Sequence, residues 1–186
     1  MDTLKAIEKR FSVREFSEKK VKWSDIIEAI DAAGKAPFAG NINHLKFVIV
    51  EDQKNKNEIA KYSDQPWIAD SKFIIVMTSN NHHLVSLYDD RAESYSKQQS
   101  GAAIQNILLR LTSLKIGSCW VGIYNEDRIK QLLSIPEKMT IEALIPVGYP
   151  KGKTIRKRKA AVENLMYWEK WGKNNRSNFD REPETK

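Results

Sequence analysis

The chain has 186 residues, the length of one compact domain, and its 41% hydrophobic content excludes an extensively disordered polypeptide. A single cysteine excludes an intrachain disulfide, and no stretch approaches the roughly 18 apolar residues of a membrane span. The net charge of +7 is concentrated in residues 151–186, which hold 11 of the 31 Lys/Arg and 5 of the 24 Asp/Glu, and this argues against a globally cationic nucleic-acid binder. We therefore expect a soluble, cytoplasmic protein that binds no membrane and for which nucleic acid is not the favoured ligand.

The first part of the chain predicts two helices. Residues 2–9 have the pattern of a short amphipathic helix with Leu4 and Ile7 facing inward. Ser24 is a candidate N-cap for a second helix, which Gly34 ends. The apolar stripe of that helix consists of Ile26, Ile27, Ile30 and Ala33.

Two short apolar runs predict buried strands, with a charged helix between them. Residues 47–50 and 73–77 are continuous apolar runs of strand length. Residues 53–62 are rich in charge and are expected to form the intervening helix. Residues 80–98 are polar and lack a clear period, so we interpret them as a loop followed by an irregular helix.

The longest apolar helical pattern spans residues 101–114. Because this pattern is apolar on more than one face, the helix should be central or lie at a subunit interface. Asn125 is a candidate N-cap for a helix over residues 126–134. Residues 141–147 predict a third strand, in which Pro146 fits the end better than the middle. Mixed helices and strands predict an α+β domain, a mixed α/β sandwich.

A seven-residue motif, RFSVREF, follows the first helix. In an extended segment, alternate spacing puts Arg10, Ser12 and Arg14 on one side. The apolar residues Phe11 and Val13 then point the other way, into the core. A rigid segment with one cationic side and one buried side is suited to hold a phosphorylated ligand. An ordinary exposed basic turn is the alternative interpretation.

Further motifs follow in a fixed order. They are APFAGN at residues 36–41, GSCWVG at 117–122, PVGYP at 146–150 and the basic run RKRK at 156–159. Together with the RFSVREF motif, they resemble the nitroreductase family of flavin mononucleotide (FMN) enzymes over roughly residues 3–165. The resemblance implies a nitroreductase-like fold, in which helices flank a central, mostly antiparallel sheet.

The resemblance also implies an FMN site assembled from distant segments. It places the motif's first arginine, its serine and two arginines of the basic run around the phosphate and ribityl end. It places Arg14 against the pyrimidine edge, where a guanidinium lowers the energy of the reduced, anionic flavin. In the family, a backbone N–H reaches flavin N5, and Gly122 is the best match for it. The predicted cofactor-binding residues are Arg10, Phe11, Ser12, Arg14, Asn41, Asn43, Val121, Gly122, Arg156 and Arg158.

This chain departs from the family after the second motif. The family usually has Asn-X-Gln-Pro-Trp where this chain has Asn41, Ile42, Asn43, His44 and Leu45. Asn41 is kept and offers donors and an acceptor to a flavin edge, although a plain turn residue is the alternative. Asn43 is shorter than the family's Gln, and Pro-Trp is lost, so the pocket should differ in shape. His44 is a possible substrate contact or, alternatively, a histidine whose hydrogen bonds are satisfied inside the protein.

Three other features of the chain are interpreted as structural. Trp120 and Val121 are expected to pack beneath Gly122, and Cys119 is expected to be a small buried residue, not a nucleophile. The adjacent His82–His83 pair has poor ligand geometry, so no metal site is predicted. There is also no Rossmann or Walker fingerprint, so a dinucleotide would bind only transiently.

The sequence therefore predicts an FMN-dependent oxidoreductase. By family resemblance, NAD(P)H delivers a hydride to flavin N5, leaves, and is replaced by an electron-poor small molecule such as a nitroaromatic or a quinone. This ping-pong scheme is expected in a homodimer with the flavin at the interface. Two alternatives are a flavin carrier or specialised reductase of the same fold, and a binder of nucleic acid or anionic surfaces through the basic tail.

The predicted domain organisation is a flavin-binding domain over residues 1–165 and a basic, aromatic extension over 166–186. The extension contains Tyr167, Trp168, Trp171 and Phe179. The extension either contacts the other subunit of a dimer or packs against the core of its own chain.

Overall fold

A computed structural model describes residues 1–152 and 161–174. The chain divides into two compact units, residues 1–154 and 155–186. In the first unit the helices are α1 (Thr3–Lys9), α2 (Trp23–Ala33), α3 (Gln53–Tyr62), α4 (His82–Tyr88), α5 (Ala92–Ser113) and α6 (Glu126–Leu133). Its strands are β1 (Leu45–Val50), β2 (Phe73–Ser79), β3 (Gly117–Ser118) and β4 (Thr140–Gly148). The described part of the second unit contains a short 3-10 turn, Val162–Leu165, and a Tyr167–Trp171 ring pair.

The strands form one sheet in the order β1-β2-β4-β3, with every neighbouring pair antiparallel. All seven residues of β2 are buried, because side chains of alternate residues enter cores on opposite faces of the sheet. Ile75 and Met77 pack on the face that α2 and α5 cover, and Ile74 and Val76 on the face that α3 and α6 cover. The predicted mixed sandwich with an antiparallel sheet is confirmed.

Helix α5 is the central helix of the domain. Its residues Ile104, Ile107 and Leu111 are completely buried against the sheet and α2, as its apolar pattern predicted. The helix begins at Ala92, nine residues before the predicted start. Its first turns fall mostly within residues 80–98, which we interpreted as a loop followed by an irregular helix, because their buried face carries Ser and Gln side chains that give no hydrophobic period.

Two details of helix packing differ from the predictions. Leu4 and Ile7 of α1 were expected to face inward, but they are 64% and 52% exposed, and Ala6 is the buried residue. Ser24 does not cap α2, because the helix begins one residue earlier and has its N-cap at Lys22. The Asn125 cap of α6 is confirmed: its side-chain oxygen accepts the N–H of Arg128.

Pro146 lies inside β4 and not at its end, contrary to the prediction. It pairs with Ile74 of β2, and its carbonyl oxygen accepts the N–H of Cys119 at 3.3 Å. In a strand, the nitrogen and carbonyl of one residue face the same neighbour. The nitrogen of Pro146 therefore faces the short β3 side, and the bonds between β4 and β2 do not need it.

Candidate functional site

The RFSVREF motif forms an extended segment that lies along β3 and the chain after β4. The N–H of Val13 donates to the Ser118 carbonyl at 3.0 Å, and the N–H of Ser17 donates to the Tyr149 carbonyl at 2.8 Å. These bonds anchor the segment at its middle and just after its C-terminal end. The predicted extended conformation is therefore present.

The side chains of the motif alternate between surface and core only over Ser12, Val13 and Arg14; Phe11, which was predicted to point into the core, is half-buried. Val13 is buried, whereas Ser12 and Arg14 are exposed and Arg10 is half-buried. The segment approaches β3 very closely, since a Cβ built on Gly117 would lie 2.6 Å from a methyl carbon of Val13. A glycine is needed there because any larger residue would displace the segment.

The motif pairs with the GSCWVG loop at Ser118, next to Cys119, and its polar side chains act on that thiol. Burial raises the pKa of this thiol, and the Arg14 guanidinium, a hydrogen bond with Ser12 and the Arg10 guanidinium act against that rise. Two motifs that are more than 100 residues apart thus meet at one place. The thiol itself is buried, as predicted.

The same loop leaves one stretch of backbone open. The N–H of Val121 is used by the Leu144 carbonyl at 2.9 Å, and the Val121 side chain is buried. Gly122 is exposed, a Cβ built on it would meet no atom within 4 Å, and no described residue accepts its N–H. A flat ligand can therefore approach this backbone.

Trp120 does not pack beneath Gly122, contrary to the prediction. Its side chain is 45% exposed, and its ring lies 3.7 Å from a Cβ built on Gly101 of α5. The tryptophan therefore lies across the surface of α5, on the outside of the domain.

Sequence reasoning missed Trp67 as a neighbour of the motif. The guanidinium carbon of Arg14 lies 5.9 Å from the centre of the Trp67 ring, and Phe16 contacts the same ring at 6.4 Å between centroids. A cation–π contact of this kind restricts where the guanidinium lies. Trp67 belongs to a short 3-10 helix, Pro66–Asp70, and no motif in the sequence connects it with Arg14.

The two predicted asparagines lie between α2 and β1. Gly40 and Asn41 both have left-handed backbone conformations, with φ of 58° and 56°, and Asn41 is exposed. Asn43 is also exposed, but its side-chain oxygen accepts the N–H of Leu45 at 3.0 Å. Asn41 is therefore the freer of the two to contact a ligand.

His44 is buried beneath this segment. One ring nitrogen lies 3.0 Å from the Ser96 hydroxyl, and the other lies 2.8 Å from the side-chain nitrogen of Gln99. Burial lowers the pKa of His44, while the Glu142 carboxylate and the Ser96 backbone act in the opposite direction. This placement favours the interpretation of His44 as an internally satisfied histidine over a substrate contact.

A cavity of about 370 Å³ lies between the APFAGN segment and α5. Its walls are mainly apolar, with two glutamine side chains, which is typical of a site for a small organic molecule. The lining residues are Pro37, Phe38, Ala39, Tyr95, Gln98, Gln99 and Ala102.

Some predictions concern residues outside the described ranges. Arg156, Arg158 and Phe179 belong to this group, so their roles stay predictions. Within residues 1–152 and 161–174, no group of three or more His, Cys, Asp or Glu is placed to hold a metal ion. In the same ranges, no helix has both the length and the apolar content needed to cross a membrane.

Comparisons with known proteins relate the chain to one family. The sequence model of the nitroreductase family matches residues 7–64 and 60–149. A protein of Archaeoglobus fulgidus, provisionally named NADH dehydrogenase/NAD(P)H nitroreductase, is 32% identical over 155 residues, covering 81% of this chain and 86% of that protein. The iodotyrosine deiodinase of Thermotoga neapolitana is 25% identical over 158 residues, covering 76% and 85%.

A solved structure shows the same fold. The NADPH:FMN oxidoreductase from Vibrio harveyi, complexed with NAD+, superposes with a TM-score of 0.82 at 19% sequence identity. The superposition covers 93% of this chain and 79% of that one. The family match and the fold agree, and the chain is therefore an oxidoreductase that belongs to the nitroreductase family.

Proposed function

We propose that the protein is an FMN-dependent oxidoreductase that takes electrons from NAD(P)H and passes them to an electron-poor small molecule. The observation that carries this proposal is the pairing of the segment that holds Arg10, Ser12 and Arg14 with Ser118 of the GSCWVG loop, the loop that also carries the open backbone of Gly122. Arginine side chains next to an uncovered stretch of backbone suit a ligand that has an anionic group and a planar ring. The V. harveyi protein of the same fold is named as an FMN oxidoreductase, which supports the choice of flavin.

The residues present fit FMN in both charge and shape. In the proposed site, Arg10 and Ser12 bind the phosphate end, and each charge-assisted hydrogen bond contributes about 1.5–3 kcal/mol. Arg14, held against Trp67, supplies a permanent positive charge at the pyrimidine edge. The N–H of Gly122 is the donor that faces the reacting ring atom.

When bound, FMN supplies the hydride chemistry, accepting a hydride from NAD(P)H and giving it to the acceptor in a ping-pong sequence. The chain's own contribution is to bind, to orient and to set the charge around the ring. No protein acid or base is needed in this proposal, because water supplies protons.

We also propose that the protein acts as a homodimer. Leu4 and Ile7 of α1 and Trp120 of the GSCWVG loop are large apolar side chains that remain exposed in one chain, and α1 packs against α5. A second copy that covers them would bury this apolar surface. Light scattering after size exclusion should give a mass near twice 21.4 kDa. A monomer mass with bound flavin would contradict the dimer without affecting the flavin assignment.

A second candidate differs in the acceptor. His44 and Leu45 stand where the family usually has Pro-Trp, shortly after the segment that lines the cavity, and one relative is named iodotyrosine deiodinase. These observations favour a specialised reductase whose acceptor is not a nitro compound. Turnover with a panel of nitroaromatics, quinones and halogenated phenols would separate the candidates, and flavin binding without turnover would indicate a carrier.

One absorbance experiment tests the central proposal. The purified protein, or the protein mixed with FMN and desalted, should be yellow, and the colour should bleach when NADH or NADPH is added without oxygen. Arg14→Met should weaken FMN binding, whereas Arg128→Met, a matched change of an exposed arginine on α6, should leave it unchanged. A colourless protein that does not retain added FMN would contradict the proposal.

A further inference from the structure

Gln99 of α5 connects the APFAGN segment to the buried His44. Its side-chain oxygen Oε1 accepts the backbone N–H of Ala39 at 3.0 Å. Its side-chain nitrogen Nε2 lies 2.8 Å from Nδ1 of His44. Gln99 is 4% exposed and His44 7%, so little solvent is available to replace the hydrogen bond between their side chains.

The backbone N–H of Ala39 determines the direction of each hydrogen bond that follows, from Gln99 to His44 and from His44 to Ser96. The Ala39 N–H can only donate, so the Gln99 atom that it meets must be the oxygen. The Gln99 amide nitrogen therefore faces His44 and donates to Nδ1, which must be unprotonated. The proton of the neutral imidazole then sits on Nε2, which donates to Ser96 at 3.0 Å.

A second proton on His44 is incompatible with this arrangement. Protonated Nδ1 becomes a donor and would meet the Gln99 amide nitrogen, which is also a donor. Rotation of the Gln99 amide by half a turn would satisfy His44 but would present that nitrogen to the Ala39 N–H. In either orientation of the Gln99 amide, one N–H donor has no acceptor. A protonated His44 therefore cannot coexist with both hydrogen bonds of Gln99.

The charged groups around His44 are few. From β4, the Glu142 carboxylate favours the protonated ring, and it is itself bound by Lys97 of α5 at 3.1 Å and by the Ser79 hydroxyl of β2 at 2.5 Å. The APFAGN segment carries no charge, and its Phe38 presents a ring at 6.3 Å between centroids. Burial outweighs the carboxylate, so His44 is neutral at pH 7 and is protonated only below its ordinary range.

We propose that Gln99 is a positioning residue that couples the protonation of His44 to the conformation of residues 37–41. Ala39 precedes the two left-handed residues Gly40 and Asn41, so its anchor determines where this turn lies. The turn forms one wall of the 370 Å³ cavity and carries the predicted flavin contact Asn41. Protonation of His44 at low pH therefore breaks the hydrogen bond from Ala39 to Gln99, which holds this wall of the cavity in place. Its consequence for FMN binding rests on the proposed function, whereas the coupling between His44 and Ala39 does not.

Nuclear magnetic resonance of the full chain tests the coupling without flavin. Ring nitrogen shifts at pH 7.5 should show His44 as the Nε2–H tautomer. As the pH falls below about 6.5, the Ala39 amide should change shift and lose exchange protection with the same midpoint as the His44 ring. His44→Asn keeps an acceptor near Nδ1 but cannot titrate, so it should abolish this step at Ala39. An Nδ1–H tautomer, or an Ala39 amide that does not respond while His44 titrates, would overturn the proposal.

A charge-changing variant tests the role of Gln99. Gln99→Glu retains an acceptor for Ala39 and can also accept from protonated Nδ1, so both bonds survive in acid. Gln105→Glu, at an exposed position of the same helix, is the matched control. By fluorescence quenching, FMN affinity of the wild type and the control should fall roughly two- to tenfold between pH 7.5 and 5.5, the range that one net hydrogen bond corresponds to.

For Gln99→Glu the acid loss should be smaller by that factor, because only the protonation of the FMN phosphate, whose second pKa is about 6, then weakens binding. An equal loss in all three proteins would overturn the role of Gln99. If none of the proteins bound FMN at any pH, the proposed function would fail, and the Ala39 and His44 resonances would still decide the coupling.

Discussion

The closest approach in the site is between Gly117 of β3 and Val13 of the RFSVREF motif. A Cβ built on Gly117 would lie 2.6 Å from one methyl carbon of Val13 and 3.0 Å from its Cβ. Carbon atoms in contact are normally about 3.5–4.0 Å apart. Gly117→Ala therefore requires a displacement of roughly 1 Å, and the backbone of both partners is held by β-type hydrogen bonds.

The size of the effect can be bounded in two ways. If Val13 stays buried, overpacking costs about 1–3 kcal/mol. If Val13 leaves its site, the loss of its burial costs about 1.5–3 kcal/mol. Both outcomes give a similar loss of stability, which for a domain of this size corresponds to a decrease in Tm of roughly 2–12 °C.

The effect on ligand binding should be of similar size to the effect on folding. Ser12 and Arg14 flank Val13, so the displacement moves both of them away from Cys119. Loss of one charge-assisted hydrogen bond would weaken FMN binding at least about tenfold. Thermal unfolding of the flavin-free protein and fluorescence titration with FMN measure the two effects separately.

Gly101→Ala is the matched control for this experiment. A Cβ at Gly101 of α5 would have its nearest neighbour in Trp120 at an ordinary 3.7 Å. Alanine in a helix interior should then stabilise the protein by about 0.5–1 kcal/mol. If Gly117→Ala matched the wild type in both Tm and FMN affinity, the close contact would not position the motif, and the reasoning would be refuted.

Three further results are expected. Arg14→Met should weaken FMN binding roughly 10- to 150-fold in a fluorescence titration, and an unchanged affinity would exclude Arg14 as a flavin contact. Because burial raises the pKa of Cys119, its alkylation by iodoacetamide at pH 8 should be slow in the folded protein and fast after unfolding. Burial also raises the pKa of Tyr124 above its ordinary 10.0. The folded state then holds a proton that the unfolded chain releases, so unfolding free energy should fall as the pH rises above about 10, and Tyr124→Phe should reduce that slope.

The fold was predictable where burial follows a simple period. The strands around residues 47–50 and 73–77 were continuous apolar runs, and the structure extends each by only two residues at one end. The charged helix over residues 53–62 matches α3 at both ends, since Asp52 caps it and Ser63 ends it. Local pattern and tertiary structure agree at these places, so the sequence alone was sufficient.

The site was predictable in part, because the residue types in its motifs indicate which side chains are buried and which can bind a ligand. The alternation of the RFSVREF motif correctly separated Val13 from Ser12 and Arg14. Its meeting with the GSCWVG loop came from family resemblance, since nothing in the spacing of two segments 100 residues apart gives their distance. The ring of Trp67 beside Arg14 was missed for the same reason.

The departure from the family motif and the missed start of α5 have one physical cause. His44 stands where the family usually has proline, and a buried imidazole needs partners for both nitrogens, because each unsatisfied polar group costs about 1–3 kcal/mol. Helix α5 supplies them from Ser96 and Gln99, with Ser100 nearby at 3.5 Å, and these residues replace the apolar side chains that a pattern search expects. No buried side-chain nitrogen or oxygen among the described residues lacks a hydrogen-bond partner. The polar stripe on α5 and the buried His44 therefore form one hydrogen-bond network, and its bond from Ala39 to Gln99 supports one wall of the cavity.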